Sequence, residues 1–158
     1  MTAQDLPEHA NDLVLTRLFD IPADRLYRCW TEPALIQQWF APSPWSVARV
    51  DNDVRPGGHS LIVMRSPEGQ EMPGSGVYLE VIPNRRLVFT DAFTQGWVPA
   101  DKPFMTGIVT FDPEGSQTRY TARVRHWNAA DRAQHEAMGF HSGWGQCADQ
   151  LAELAARL

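Results

Sequence analysis

The last thirty residues constrain the fold most strongly, because they are patterned as one long helix. No proline occurs between Ala129 and Leu158, and Asn128 is placed to cap a helix that starts there. Apolar residues at steps of three or four form one stripe on an α-helix. The stripe comprises Phe140, Trp144, Cys147, Leu151, Leu154 and Leu158. The pattern predicts a single helix over most of Ala129–Leu158, about 45 Å in length.

The residues before this helix are patterned mainly as short strands separated by turns. Leu13–Phe19 is rich in β-forming residues, and two short helices follow it, with prolines at Pro22 and Pro33 near their first turns. Further strands are predicted at Trp45–Val54, His59–Arg65, Gly76–Ile82, Arg86–Ala92, Phe104–Phe111 and Gln117–His126. The sequence therefore predicts an α+β fold, with an antiparallel sheet of six or seven strands and a long C-terminal helix.

Length and composition favour one globular domain. We expect a flexible N-terminal tail over residues 1–11 and a single domain over residues 12–158, in which 43% hydrophobic residues support a core. The net charge of −5, with no basic block, argues against nucleic acid as a partner. No apolar run approaches eighteen residues and the N-terminus does not resemble a signal peptide, so neither a membrane nor secretion is predicted. We expect a cytoplasmic protein whose Cys29 and Cys147 are free thiols.

Motifs for catalysis or metal binding are absent from the sequence. His135, Glu136 and His141 are close in sequence, but their spacing is not the H-E-x-x-H pattern of a zinc site. A Cys–His nucleophile pair would require the fold to bring Cys29 or Cys147 to a histidine. We therefore assign no catalytic residue, no metal site and no cofactor. Trp97 differs from the other tryptophans because it lies in a Gly/Pro-rich loop, where an aromatic side chain can cover a pocket mouth.

A series of short motifs resembles one known family when they are taken in order. They are Leu15–Phe19, Ile21–Ala23, Trp30–Pro33, Gln38–Pro42, Asp53–Gly58, Gly76–Val81, Arg86–Thr90, His135–Phe140 and Gly143-Trp144. Their order and spacing are similar to those of the stand-alone bacterial proteins named after the activator of the heat-shock-protein-90 ATPase. These proteins belong to the START-like, SRPBCC superfamily. The resemblance covers nearly the whole chain, roughly from Leu13 to Leu158.

The resemblance implies a helix-grip fold. In it, a curved antiparallel sheet, interrupted after its first strand by two short helices, grips the long C-terminal helix. Relatives bind lipids, hormones, polyketides or toxins in a cavity between sheet and helix, and some cyclise polyketides. The eukaryotic co-chaperone has a further N-terminal domain that engages the chaperone, and 158 residues leave no room for it. The resemblance therefore does not by itself imply chaperone activation.

The leading hypothesis is non-catalytic binding of a small hydrophobic or aromatic molecule. The expected ligand-binding residues, with Tyr78 and Ser142 as polar handles, are Trp39, Phe40, Met64, Tyr78, Phe89, Trp97, Phe104, Met138, Ser142 and Trp144. An alternative is a cyclase or hydrolase that uses the same cavity, with His59, His126 or His141 as its titratable group. A second alternative is an interaction protein, either a chaperone partner or a homodimer. Trp144 is expected to be mainly structural and Tyr78 mainly functional.

Overall fold

A computed structural model describes residues 6–7 and 9–158. Residues 1–5 and 8 lie outside this part, so the predicted tail over residues 1–11 is only partly covered. The first strand begins at Asp12, the residue before the predicted start at Leu13. The division into a tail and one domain over residues 12–158 stays a prediction.

The described residues form nine strands and four helices. The strands are β1 (Asp12–Phe19), β2 (Ser46–Asn52), β3 (His59–Arg65), β4 (Glu71–Ile82), β5 (Arg86–Thr90), β6 (Phe93–Thr94), β7 (Val98–Pro99), β8 (Met105–Glu114) and β9 (Gln117–His126). The helices are α1 (Ala23–Thr31), α2 (Pro33–Ile36), α3 (Ala129–Ala137) and α4 (Phe140–Ala156). Seven strands form one antiparallel sheet in the order β1-β9-β8-β5-β4-β3-β2, while β6 and β7 pair separately. The predicted fold class, with two short helices after the first strand, is confirmed.

The most regular sequence pattern, that of β9, has the predicted bounds. Tyr120, Ala122 and Val124 alternate along the strand and are almost completely buried. In the register of the sheet, Ala122 lies between Leu15 on β1 and Val109 on β8. These side chains belong to the hydrophobic core that the sheet shares with α1 and α4. Period-two alternation therefore identified the buried face of the sheet at this edge.

Strand β4 begins at Glu71, well before the predicted start at Gly76. Pro73 and Gly74 are typical turn residues, which is why the sequence pattern placed them outside the strand. Within β4, strand β5 pairs only with the segment Val77–Ile82, so the first half of β4 has β3 as its one neighbour. A proline is tolerated in such an edge segment, where one side of the strand makes no ladder hydrogen bonds.

The prediction of one helix over Ala129–Leu158 is wrong, because the chain forms α3 and α4 instead. Gly139 has a φ of 95°, a left-handed conformation that glycine adopts without steric cost and that ends a helix. The predicted cap is confirmed, since Oδ1 of Asn128 accepts a hydrogen bond from the Asp131 backbone N–H at 2.8 Å. Helical spacing of apolar residues continues across the break, so the spacing alone did not reveal it. Among the described residues, no helix has both the length and the apolarity needed to cross a membrane.

Candidate binding site

A cavity lies between the sheet, the loop after α2 and the junction of α3 with α4. It has two adjacent lobes, the first of about 320 Å³ and the second of about 460 Å³. Four residues line both lobes and so mark the boundary between them: Phe40, Met64, Met105 and Met138. Met138 is largely exposed and therefore lies where the cavity opens to solvent.

Helix α4 supplies one wall of the first lobe. Its lining residues are Phe140, Gly143, Trp144 and Cys147, at helical positions i, i+3, i+4 and i+7. This spacing places all four on one face of the helix. Gly143 therefore directs its α-hydrogens towards the cavity, and a Cβ built on it would meet no atom within 4 Å.

An aromatic cluster from α1 and the loop after α2 forms the opposite wall. The Trp30 ring lies 5.0 Å from that of Trp39 and 5.7 Å from that of Phe40, both in edge-to-face contact. The indole N–H of Trp30 donates to the Tyr120 hydroxyl at 3.2 Å, and that of Trp39 donates to the Cys29 carbonyl at 2.8 Å. Since both indole donors are satisfied within the protein, these rings present only apolar surface to the cavity.

The second lobe is bounded by strands β3, β4 and β5. Phe89 lies on its wall, and a Cβ at the facing Gly107 would come within 2.4 Å of the Phe89 ring. Only glycine therefore lets the ring occupy this position. Asp91 also borders the lobe, but its Oδ1 accepts the backbone N–H groups of Phe104 and Met105 at 2.9 and 3.1 Å. The carboxylate thus holds the start of β8 in place.

Two histidines meet beside the first lobe. Nε2 of His126 lies 2.9 Å from Nδ1 of His135, and Nδ1 of His126 lies 2.7 Å from the Asn11 carbonyl. His126 is buried, whereas His135 is partly buried and lines the cavity. Burial, and secondarily the neighbouring His126, lowers the pKa of His135 to about 4. The cavity wall therefore carries a neutral imidazole near pH 7.

The two cysteines are free, as predicted. Burial raises the pKa of Cys29 to about 11 and that of Cys147 to about 12, so both remain thiols at neutral pH. Cys147 lines the cavity, and its Sγ lies 3.4 Å from the Phe40 carbonyl oxygen rather than against a histidine. Within the part of the chain that the structure describes, no base is hydrogen-bonded to Cys147.

The structure brings most of the expected ligand-binding residues together. Those that line the cavity are Trp39, Phe40, Met64, Phe89, Phe104, Met138 and Trp144. Tyr78, Trp97 and Ser142 are absent from the lining of both lobes. Residues on the wall that the sequence did not single out include Trp30, Met105, His135 and Phe140.

Tyr78 lies in the core next to the cavity and not on its wall. It is 5% exposed, and its hydroxyl accepts a hydrogen bond from the Asn52 amide at 3.2 Å. A register shift between Tyr78 and Glu80 interrupts the alternation of β4, so that Tyr78 and Val81 both pack against the core.

The other two outlying residues occupy the surface. Trp97 is 54% exposed, has a φ of 61°, and contacts the ring of Phe93 and the turn at Gly57. It belongs to the small β6–β7 hairpin and lines neither lobe, and its role at a pocket mouth stays a prediction. Ser142 is exposed and donates to the Gly139 carbonyl at 3.2 Å.

Trp144 is only partly buried, and its ring centroid lies 5.3 Å from that of Phe140, so it forms cavity wall as well as structure.

The histidines proposed for an enzyme lie elsewhere. His59 lies 2.9 Å from Oδ1 of Asp51 and His141 lies 3.1 Å from Oε2 of Glu136, but neither histidine lines the cavity. His126 does not line either lobe, but it contacts His135 and Phe104, which do. Within residues 6–7 and 9–158, no group of three or more His, Cys, Asp or Glu side chains is placed to hold a metal ion.

Comparison with known proteins agrees with this architecture. A family model described as Activator of Hsp90 ATPase homolog 1-like protein matches residues 20–156. The structure of a protein from Nitrosomonas europaea is 42% identical, with a TM-score of 0.91 over 95% of this chain and 97% of its own. A protein from Mycobacterium smegmatis is 26% identical, with a TM-score of 0.77 over 90% of this chain and 89% of its own. No curated protein is similar enough to match the chain.

Proposed function

The chain belongs to the family of Activator of Hsp90 ATPase homolog 1-like proteins, and we propose that it binds a small apolar or aromatic molecule in the cavity beside α4. The observation that carries this proposal is the composition of the cavity wall. Aromatic rings and methionines meet there from α1, α4, the sheet and the loop after α2. Lobes of about 320 and 460 Å³ fall in the size range of small-molecule pockets, which is roughly 300–1,000 Å³.

The chemistry of the wall favours a neutral ligand. Met64, Met105 and Met138 offer flexible, polarisable side chains that adapt to different apolar shapes. The one carboxylate at the edge, Asp91, is already engaged by two backbone N–H groups. A charged ligand would lose its hydration without gaining an ion pair, which is costly. Selection between similar apolar shapes is expected to be weak, because one methylene changes affinity by only about 10–200-fold.

The arrangement supports binding better than the enzyme alternative. A general acid or base is usually oriented by a hydrogen-bonded partner that tunes its pKa. The histidines with carboxylate partners, His59 and His141, lie away from the cavity. His135 lines the cavity, but its hydrogen-bond partner is the ring of His126 and not a carboxylate. The interaction alternative would have been favoured by a closed, fully packed core, which differs from the open cavity described above.

The experiment blocks the cavity without disturbing the rest of the chain. In Gly143→Phe the new ring projects from the lining face of α4 into space where a Cβ meets no atom. Binding of 2-methoxynaphthalene is measured by isothermal titration calorimetry, and thermal melting confirms folding. We expect wild type to bind and Gly143→Phe to bind about tenfold more weakly or not at all, because the first lobe is filled.

The matched control adds the same ring to the opposite side of the same helix. Asp149 is exposed and does not line the cavity, so Asp149→Phe should bind 2-methoxynaphthalene as wild type does. Equal affinity of folded Gly143→Phe and wild type would place the ligand outside the first lobe, the part of the cavity that α4 lines, and contradict the proposal. Absence of binding by wild type would contradict it as well.

A further inference from the structure

The histidine pair has a fixed direction of hydrogen bonding. The Asn11 backbone carbonyl oxygen, 2.7 Å from Nδ1 of His126, can only accept a hydrogen bond. Nδ1 of His126 must therefore carry the proton. In a neutral imidazole the other nitrogen is then an acceptor, so Nε2 of His126 accepts a hydrogen bond. The proton in the 2.9 Å contact consequently belongs to Nδ1 of His135.

The same reasoning assigns the remaining nitrogen of the histidine pair, Nε2 of His135. Because Nδ1 of His135 donates, Nε2 of its neutral ring carries no proton and can only accept. Within the described residues, Nε2 of His135 has no hydrogen-bond partner, and it is not among the fully buried polar atoms. It is therefore accessible, unlike Nδ1 of His59, which is fully buried without a partner.

The surroundings keep this acceptor neutral and fixed in orientation. The Phe104 ring contacts both histidines, at 5.6 Å from His126 and 5.2 Å from His135. Phe140 and Trp144 contact His135 from α4, with ring centroids 5.2 and 6.5 Å from that of the imidazole. The ring of His135 is thus held between aromatic side chains and one hydrogen bond, and its lone pair has a defined direction.

The other polar side-chain groups that line the first lobe each take part in at least one hydrogen bond within the protein. The two indole N–H groups of Trp30 and Trp39 are satisfied within the protein, and the Tyr120 hydroxyl accepts one of them. The Cys147 sulfur contacts a backbone carbonyl. Among the described residues that line this lobe, His135 therefore offers the side-chain acceptor that a ligand can use.

We propose that the ligand of this protein is an aromatic molecule with a neutral hydrogen-bond donor, such as a phenol or enol hydroxyl, that donates to Nε2 of His135. This inference rests on the proposed function and adds the ligand's chemical class. The ring lies among the aromatic and methionine side chains, while the hydroxyl satisfies the one open acceptor. A ligand with only acceptor groups leaves Nε2 unpaired and binds less well, because an unpaired buried polar group is unfavourable.

The experiment compares two probes that differ in their donor. 2-Naphthol carries a hydroxyl, whereas 2-methoxynaphthalene has the same rings without a donor. Calorimetry on wild type should give a preference of about 2- to 13-fold for 2-naphthol, the range expected of one hydrogen bond. His135→Phe keeps a ring in place but removes both nitrogens, so the preference should vanish while 2-methoxynaphthalene still binds.

The matched control is His141→Phe. This side chain is 59% exposed, pairs with Glu136, and does not line the cavity. The His141→Phe variant should retain the wild-type preference for 2-naphthol over 2-methoxynaphthalene. Equal binding of both probes by wild type, or an unchanged preference in His135→Phe, would overturn the inference while leaving the proposed function intact. Failure of wild type to bind either probe would overturn the proposed function and the inference with it.

A second measurement needs no variant, which matters because His135→Phe leaves His126 without its partner. In ¹⁵N-labelled wild type, the imidazole resonances identify which ring nitrogens carry protons. We expect an unprotonated Nε2 in His135 whose resonance moves on adding 2-naphthol and stays nearly unchanged with 2-methoxynaphthalene. A protonated Nε2, or equal responses to the two probes, would contradict the assignment.

Discussion

The two halves of α4 share one helical spacing of apolar residues but have different surroundings. In the C-terminal half, Leu151 and Ala155 are completely buried against the core. In the N-terminal half, Gly143, Trp144 and Cys147 are partly buried and line the cavity. The spacing specifies which face of a helix turns inward. It does not specify whether that face meets packed side chains or an open space.

This difference implies that the C-terminal half of α4 contributes mainly to folding stability and the N-terminal half mainly to ligand binding. Side chains of the C-terminal half fill space completely, so their removal leaves a cavity and costs unfolding free energy. Side chains of the N-terminal half border a cavity that already exists, so their removal enlarges it at lower cost. We therefore expect substitutions in the first group to affect folding and those in the second to affect ligand affinity.

The largest expected effect is at Leu151. Leu151→Ala removes a completely buried side chain, and the free energy of unfolding should fall by about 2–5 kcal/mol. Urea denaturation at neutral pH measures this change. Because Leu151 does not line the cavity, the protein that remains folded should bind 2-methoxynaphthalene as wild type does. A loss below about 0.5 kcal/mol, within the range of surface substitutions, would contradict the division.

A smaller stability loss is expected at Trp144, although its side chain is larger. Trp144→Ala should lower the free energy of unfolding by about 1–2 kcal/mol, below the roughly 3–5 kcal/mol typical of a fully buried tryptophan. Affinity for 2-methoxynaphthalene should decrease, since the ring lines the first lobe. Urea denaturation measures the change in stability, and isothermal titration calorimetry measures the change in affinity. If Trp144→Ala proves more destabilising than Leu151→Ala, the contrast between the halves is wrong.

At Gly143 we expect a change in the free energy of unfolding of the opposite sign. Gly143→Ala should raise the free energy of unfolding by about 0.5–1 kcal/mol, because alanine favours the helix and its Cβ enters open space. The comparison is Gly145→Ala, where a Cβ would lie 3.1 Å from Nη2 of Arg17. The increase in the free energy of unfolding should be smaller for Gly145→Ala. Destabilisation by Gly143→Ala would show that the space beside α4 is filled.

The histidine at the cavity should give a pH effect with a defined sign. The pKa of His135 is lowered to about 4, whereas the unfolded chain has a value near 6.5. Between these values the unfolded state binds more protons, so stability falls as pH drops from 6.5 towards 4. His135→Phe should reduce this dependence, and melting temperatures at pH 7 and pH 5 measure it. Equal pH dependence in variant and wild type would show that the folded ring titrates normally.

Much of the fold could be predicted because it depends on local periodicity. The bounds of β3 and β9 and the Asn128 cap follow from alternation and capping chemistry, and the structure matches them. The break at Gly139 was missed because the apolar spacing persists through it. Its only sequence signal was a glycine inside a helical pattern, which also occurs at Gly143 and Gly145 without a break.

The site was less predictable because it depends on contacts between distant segments. Large apolar residues were expected around a cavity beside the helix, and seven of the ten expected residues line it, since most such residues face the interior. Tyr78 was expected in the cavity on the basis of the family resemblance, whereas it packs in the core beside a bulge in β4 that the sequence does not reveal. The partnership of His135 with His126 requires α3 to turn back onto β9, and its anchor at Asn11 comes from the start of the chain. No spacing in the sequence encodes that meeting.

The central claim is that ligand binds in the cavity, and methionine methyl NMR tests it most directly. Met64, Met105 and Met138 line both lobes, and Met72 lines the second. With ¹³C-labelled methionine methyl groups, titration with 2-methoxynaphthalene should shift the signals of Met64, Met105 and Met138 through the ring current of the bound aromatic. Unchanged signals from all three, at probe concentrations where calorimetry detects binding, would place the ligand elsewhere and contradict the account.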